Sequence, residues 1–160
     1  MTTIRLPIAL AALGLSASIA GADATGPACG AVTLVGGEKG VNVIDHPPAG
    51  KSPGDVRAGW RALADESGSP VGSVQFVATL TEPDAPGGDI LAGEYFIRLP
   101  EGYIASQTVY QLSDATDTSQ KAQNAVLVVT GGTGRYAGVT GTIEIVAGTA
   151  PLYVFDLHCP

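Results

Sequence analysis

The stretch VLVVTGGTGRYAGVTGTIEI, residues 126–145, decides between two folds. It opens with the apolar run Val126–Val129 and then places five glycines in the eleven positions from Gly131 to Gly141. Within it, Gly132–Ala137 matches the G-x-G-x-x-A fingerprint of a dinucleotide-binding loop. That loop requires a helix directly after the glycines, because the N–H groups of the helix N-terminus bind the pyrophosphate.

The residues that follow do not predict a helix. Val139–Ile145 is mostly β-branched and apolar, which is typical of a strand, and only 22 residues remain after Gly138, too few for the rest of a βαβαβ unit. Glycine also permits a positive φ and a close approach of two backbones. We therefore interpret 131–134 as a tight connection, and Gly138 and Gly141 as points where the next strand bends.

The rest of the chain predicts an all-β fold, because short β-branched and aromatic runs alternate with segments rich in Gly, Pro, Asp and Ser. Tight connections such as Pro100–Gly102 predict antiparallel hairpins, which close into a barrel or leave two exposed edges. Nine segments are expected to give about eight strands: Ala31–Val35, Val41–Asp45, Val56–Ala64, Val71–Leu80, Ile90–Leu99, Tyr103–Leu112, Ala125–Thr130, Val139–Ala147 and Leu152–His158.

The two ends of the chain indicate export. Arg5 followed by the apolar stretch 6–20 has the form of a secretory signal, with cleavage expected after Ala20 or Ala24. We take 1–24 as the signal peptide and 25–160 as one domain of a secreted or periplasmic protein. The only two cysteines, Cys29 and Cys159, are then expected to form a disulfide that joins the ends and favours closure of the sheet.

Charge and composition exclude several function classes. The formal net charge of −7, with scattered basic residues, argues against binding to nucleic acid. No segment after the signal has the roughly 20 continuous apolar residues of a membrane helix. The two histidines, His46 and His158, lie apart, and no metal cluster, other cofactor site or serine-hydrolase elbow is expected.

The sequence resembles the allene oxide cyclase and dirigent superfamily, most closely its short secreted bacterial members. The resemblance rests on GGTGRYAGVTGTIEI followed by LYVFDL at 152–157, and on PGD at 53–55, GSPVGSVQFVATL at 68–80 and GEYFIRLPEGYIASQ at 93–107. It spans roughly residues 32–157. It implies an eight-stranded antiparallel barrel, often trimeric, whose apolar lumen holds a reactive small molecule and steers its cyclisation or coupling.

The catalytic pair of the plant cyclases does not carry over. The resemblance places their glutamate at Leu34 and their cysteine at Ala78, and neither residue can ionise. Glu38 lies nearby, but a shift in register would be needed to bring it to the glutamate position.

Other strand residues are therefore candidates for a site in the lumen. Alternation places Tyr95 on one face of its strand and Glu94, Phe96 and Arg98 on the other, without indicating which face is internal. Glu94 and Arg98 are the candidate catalytic pair, because an enclosed carboxylate has a raised pKa suited to proton transfer. The candidate ligand-binding residues offer rings or polar groups to a small apolar molecule: Gln75, Tyr95, Phe96, Tyr110 and Tyr153.

Three functions remain open from the sequence. The first is an enzyme-like guide, in which the lumen restricts a reactive molecule to one productive conformer. The second is a non-catalytic carrier or envelope protein on the same scaffold. The third is assembly into a homo-oligomer, dimer or trimer, suggested by an apolar content of 45% with few helices to cover the sheet.

Overall fold

The structure, a computed structural model, describes residues 29–120 and 124–160. The predicted signal peptide lies outside the described residues. Eight strands follow one another along the chain, with one short 3-10 turn, Gly134–Tyr136, between the sixth and the seventh. The strands are β1 Gly30–Ile44, β2 Val56–Ala64, β3 Pro70–Ala85, β4 Gly88–Leu99, β5 Gly102–Leu112, β6 Ala125–Gly132, β7 Thr140–Val146 and β8 Leu152–His158.

The strands close into an antiparallel barrel in sequence order, which confirms the predicted fold class. Closure depends on β1, whose first half pairs with β8 and whose second half pairs with β2. The two segments predicted at 31–35 and 41–45 are therefore one strand. A shift in register between Gly36 and Lys39 interrupts it, and the extra residues of such a bulge bend the strand.

Closure also decides which residues fill the interior. Along β4, the residues at odd positions from Leu91 to Leu99 are buried, and those at even positions are exposed. In β8 the buried residues are Tyr153, Phe155 and Leu157. The core is thus a single lumen packed by alternate residues of every strand.

The glycine-rich stretch makes a tight connection at one end of the barrel. β6 ends at Gly132, the 3-10 turn follows, and β7 returns antiparallel to β6, so no helix is available for a phosphate. Gly134 has φ +61°, and a Cβ there would lie 2.2 Å from the Glu101 carbonyl oxygen. Gly141 has φ +128°, and a Cβ there would lie 2.0 Å from the Asp156 carbonyl oxygen.

The disulfide predicted from the sequence is present. Cys29 and Cys159 are bonded, with their Cα atoms 5.7 Å apart, immediately before β1 and immediately after β8. The bond therefore joins the two strands whose pairing closes the barrel. On the chain-entropy model, closing so long a loop stabilises a fold by about 4–5 kcal/mol. Among the described residues, no helix has the length and apolar character needed to cross a membrane.

We expect Gly141→Ala to lower the free energy of unfolding by at least about 1 kcal/mol, since the new Cβ meets strained backbone and a carbonyl of β8. Gly37→Ala is the matched control, because a Cβ at Gly37 makes only ordinary contacts, at 3.7 Å, with Ala62. Urea unfolding of both variants measures the difference. Equal stability of the two would contradict the role given to Gly141.

Tyr136 is the last residue of the 3-10 turn in this connection. It is fully buried, and its hydroxyl has no hydrogen-bond partner among the described residues. Tyr136→Phe should therefore leave the free energy of unfolding unchanged or raise it. Tyr153→Phe, which removes a hydroxyl that contacts Arg61, should lower it by about 0.5–1.5 kcal/mol. A loss of similar size in both variants would show that the Tyr136 hydroxyl is bonded in solution.

Candidate functional site

A cavity of about 50 Å³ lies in the lumen, toward the end of the barrel where β1 and β5 finish and β2 and β8 begin. We call this end the loop end; the disulfide and the glycine-rich connection lie at the other. Residues from seven of the strands and two loops line the cavity: Lys39, Val41, Arg57, Arg61, Phe76, Tyr95, Tyr110, Leu112, Gln120, Ile145, Pro151 and Tyr153.

Aromatic rings form one wall of the cavity. The rings of Phe76 and Tyr95, on adjacent strands β3 and β4, stack with centroids 5.6 Å apart. The ring of Tyr110, on β5, meets Tyr95 edge to face at 6.4 Å. Such pairs contribute about 0.5–1.5 kcal/mol beyond the area that they bury, so the wall has a defined geometry.

Three glycines within the strands make room for side chains that line the cavity. A Cβ at Gly59 would lie 2.9 Å from the Phe76 ring, and one at Gly93 would lie 3.0 Å from the Tyr95 ring. At Gly36, in the first strand, a Cβ would lie 2.7 Å from Cδ of Arg61. Any larger residue at these positions would occupy the space that the site residues now fill.

Two arginines of β2 face the cavity. Arg57 and Arg61 are four residues apart and so share a face of the strand, and both are buried. Arg57 donates from Nη1 to the carbonyl oxygens of Ala115 and Asp117, at 2.9 and 2.8 Å. Burial lowers the pKa of Arg57, but a guanidinium remains protonated at any pH at which the fold survives.

The loop 113–120 covers the cavity at the loop end, and cations hold it there. Arg57 donates from Nη2 to the Gln120 carbonyl at 2.9 Å. The Lys39 ammonium donates to the carbonyls of Thr118 and Ser119, each at 2.9 Å. Backbone carbonyls rather than carboxylates thus receive these hydrogen bonds, and the loop contributes no negative charge through them.

Asp89, the second residue of β4, binds the same loop through a backbone N–H group and is fully buried. Its carboxylate accepts hydrogen bonds from the N–H of Ala115 at 2.6 Å and of Asp84 at 2.8 Å, and the Lys51 ammonium lies 3.3 Å away. Although burial raises the pKa of Asp89, these partners outweigh it and hold the pKa below its usual value. A charged Asp89 therefore connects the loop to the β3–β4 hairpin.

The tyrosines of the cavity are hydrogen-bond donors rather than bases. Burial raises the pKa of Tyr95 well above its usual value, and interaction with Tyr110 raises it further. Burial also raises the pKa of Tyr110, against smaller opposing effects of Tyr95 and Arg57, and it raises the pKa of Tyr153, against a smaller opposing effect of Arg61. All three hydroxyls are protonated at neutral pH. Tyr95 and Tyr110 share one hydrogen bond, and the Tyr153 hydroxyl can donate to a ligand oxygen.

The structure brings together three of the predicted ligand-binding residues, Tyr95, Tyr110 and Tyr153. The other two, Gln75 and Phe96, lie exposed on the outer face, where their backbones are paired.

The predicted catalytic pair must be corrected. Glu94 and Arg98 are exposed, because inward-facing Tyr95 and Ile97 fix the parity of β4 and turn the even positions outward. Neither side chain can act on a molecule in the lumen. Glu38 is also exposed, whereas Leu34 and Ala78 are buried.

Sequence reasoning missed the residues that give the cavity its charge and half of its aromatic stack: Lys39, Arg57, Arg61 and Phe76. A signal was available for two of them, since Arg57 and Arg61 share the parity of the apolar Leu63 in the segment VRAGWRALA. Within residues 29–120 and 124–160, no group of three His, Cys, Asp or Glu side chains is placed to hold a metal ion.

Comparisons with known proteins find similarity in structure but not in sequence. No family model matches the chain, and no curated protein matches it by sequence. Among solved structures, the fold is similar to a pyocyanin demethylase, with a TM-score of 0.66 and 22% identity, covering 80% of this chain and 99% of that one.

Two cyclases are similar at lower TM-scores. One is described as a nonspecific heme-binding cyclase that catalyses a 4 + 2 cycloaddition during neoabyssomicin biosynthesis, with a TM-score of 0.53 and 15% identity, covering 79% of this chain and 59% of that one. The other is a Diels–Alderase from Streptomyces koyangensis, with a TM-score of 0.53 and 17% identity, covering 81% of this chain and 66% of that one. At these identities the similarities establish the fold alone.

The position of Asp89 gives a test of how the loop is held. Asp89→Asn should lower the melting temperature at pH 7, because an amide has one acceptor oxygen where the carboxylate receives two N–H groups. The stabilisation by wild-type Asp89 is present above the unfolded pKa of about 3.9 and is lost as the pH falls through the lower folded pKa. The difference between wild type and variant should therefore shrink below about pH 4. Melting from pH 7 to pH 2 measures it, with the exposed Glu94→Gln as control. A difference that stays constant with pH would contradict this role.

Proposed function

We propose that the barrel binds a small, flat, largely apolar molecule in its lumen and guides the cyclisation or coupling of that molecule. The observation that carries the proposal is a cavity in the lumen that is lined both by stacked aromatic rings and by hydrogen-bond donors. Ligand sites commonly combine a mostly apolar wall with a few polar groups that fix orientation.

The aromatic wall selects for shape. A conjugated or aromatic ligand can lie along the Phe76 and Tyr95 rings, and Tyr110 presents its edge to the same space. Gly59 and Gly93 have no side chain, so the Phe76 and Tyr95 rings can lie directly against the backbone of the strands. A flat ligand is therefore favoured over a branched one.

The lining residues support two effects on a ligand: they orient the whole molecule, and they polarise a carbonyl oxygen that accepts their hydrogen bonds. Among the described residues that line the cavity, none is a carboxylate or an imidazole, and the tyrosines are protonated at neutral pH. Holding a reactive molecule in one conformer lowers the entropic part of the barrier. The Tyr153 hydroxyl and Arg61 can in addition donate to a carbonyl oxygen on which negative charge develops.

The size of the cavity requires the loop 113–120 to move on binding. Its volume of about 50 Å³ is well below the roughly 300–1,000 Å³ of typical ligand sites. Gln120 is the lining residue that this loop contributes, and carbonyls of the loop are held by hydrogen bonds from Lys39 and Arg57. Displacement of the loop would open the lumen without changing the strand pairing.

The second candidate is a carrier that binds the same kind of molecule and leaves it unchanged. The described lining has no carboxylate or imidazole, which argues against a function that depends on proton transfer. A carrier needs no base and is therefore compatible with this lining, as is a guide. A carrier and a guide differ only in the fate of the ligand.

We further propose that the protein is an exported member of the superfamily that the sequence resembles. The disulfide supports export, because such bonds persist in oxidising compartments. Exposed apolar side chains on the outer face of β5 and β6, Val109, Val126 and Val128, support assembly into a homo-oligomer.

Lumen binding is tested with the neutral flat probe N-phenyl-1-naphthylamine, whose fluorescence increases in an apolar site. Phe76→Leu should weaken binding about tenfold, since it removes a stacking face of the wall. Phe96→Leu is the matched control, because Phe96 belongs to the adjacent strand and faces outward. Equal weakening in both variants would place the probe on the outer surface and refute the proposal.

A ligand found in this way separates the two candidate functions. After incubation with the protein, chromatography of a reactive ligand should show one enriched isomer for a guide and unchanged starting material for a carrier. The Phe76→Leu variant should lose the enrichment, whereas Phe96→Leu should retain it.

A further inference from the structure

The charged side chains that line the cavity are all cationic. They are Lys39, Arg57 and Arg61, three of the eight basic residues in a chain with a formal net charge of −7. No carboxylate of the described residues lies within salt-bridge distance of Arg57 or Arg61. An acidic protein thus concentrates positive charge inside its barrel.

The two arginines differ in how the protein satisfies them. Arg57 donates three hydrogen bonds to carbonyls of the loop 113–120. Arg61 is also buried and donates from Nη1 to the carbonyl oxygen of Gly37 at 2.9 Å, and its second contact is with the Tyr153 hydroxyl. A guanidinium has five N–H donors, so the described contacts leave part of this group for a ligand.

Local structure holds Arg61 in place. The bulge of β1 presents the Gly37 carbonyl to the guanidinium. At the adjacent Gly36, a Cβ would lie 2.7 Å from Cδ of Arg61 and 3.0 Å from the Tyr153 ring, so glycine is required for both side chains to fit. The result is a fixed pair of donors, one guanidinium and one phenol, next to the aromatic wall.

A buried guanidinium without a counter-ion is costly, and a carboxylate or similar oxygen anion is the group that compensates it best. We propose that the ligand of the lumen is a small conjugated or aromatic acid, and that Arg61 and Tyr153 bind its acidic oxygen while Phe76 and Tyr95 contact its ring. This inference rests on the proposed binding of a small molecule in the lumen. It adds the chemical class of that molecule and the residue that determines specificity.

The test compares two probes of nearly equal shape, 2-naphthoate and its neutral analogue 2-naphthamide, by calorimetric titration at pH 7. The wild-type protein should bind the acid at least about tenfold more tightly, the scale of a charge-assisted bidentate pair. Arg61→Gln should remove this preference, because the loss of the guanidinium weakens binding of the acid far more than binding of the amide. Arg98→Gln, on the outer face of β4, is the matched control and should keep the preference.

The outcomes separate this inference from the proposal that it rests on. Equal binding of the two probes to the wild-type protein would overturn the acid specificity and leave lumen binding standing. Failure of both probes to bind would overturn both. A preference for the acid that survives in Arg61→Gln would refute the role of Arg61. Circular dichroism verifies that the variants fold. Should Arg61→Gln not fold, Arg61→Lys keeps the charge without the planar fork and should reduce the acid preference without abolishing it.

Discussion

The structure depends on the closure of one sheet, in which β1 pairs with β2 along its second half and with β8 along its first. Closure removes both edges of the sheet and gives every strand one internal face. All later features follow from that geometry. The disulfide between Cys29 and Cys159 supports the same seam, since it lies where the first and last strands meet.

A closed eight-stranded barrel has a narrow interior, so side chains and ligand compete for volume. Glycine resolves the competition here. At Gly36, Gly59 and Gly93 the missing Cβ provides room for Arg61, Phe76 and Tyr95 respectively. The aromatic and cationic groups can therefore be large while the barrel stays small. Glycines at the other end serve a different purpose, because those at Gly134 and Gly141 relieve backbone contacts.

Buried or partly buried charged side chains bind the loop 113–120 in two ways, cations through its carbonyl oxygens and a carboxylate through an N–H group. From the cavity side, Lys39 and Arg57 hold its carbonyls, and on the other side Asp89 receives the N–H of Ala115. The arginine proposed to bind an acid is a different one, since Arg61 donates to the Gly37 carbonyl rather than to this loop.

The sequence by itself determined most of the strands, the antiparallel order, the disulfide and the purpose of the glycine-rich stretch, because each depends on local pattern or on the positions of the two cysteines. It divided β1 into two segments, which the structure joins. It also separated the two faces of β4, with Tyr95 on one and Glu94 on the other. It did not determine which face is internal, since the outer face is also partly apolar, with Val109 69% exposed and Val128 58% exposed. Only closure of the barrel decided that Phe76 rather than Phe96, and Arg61 rather than Arg98, enters the lumen, because the parity of each strand is set by pairing with distant neighbours.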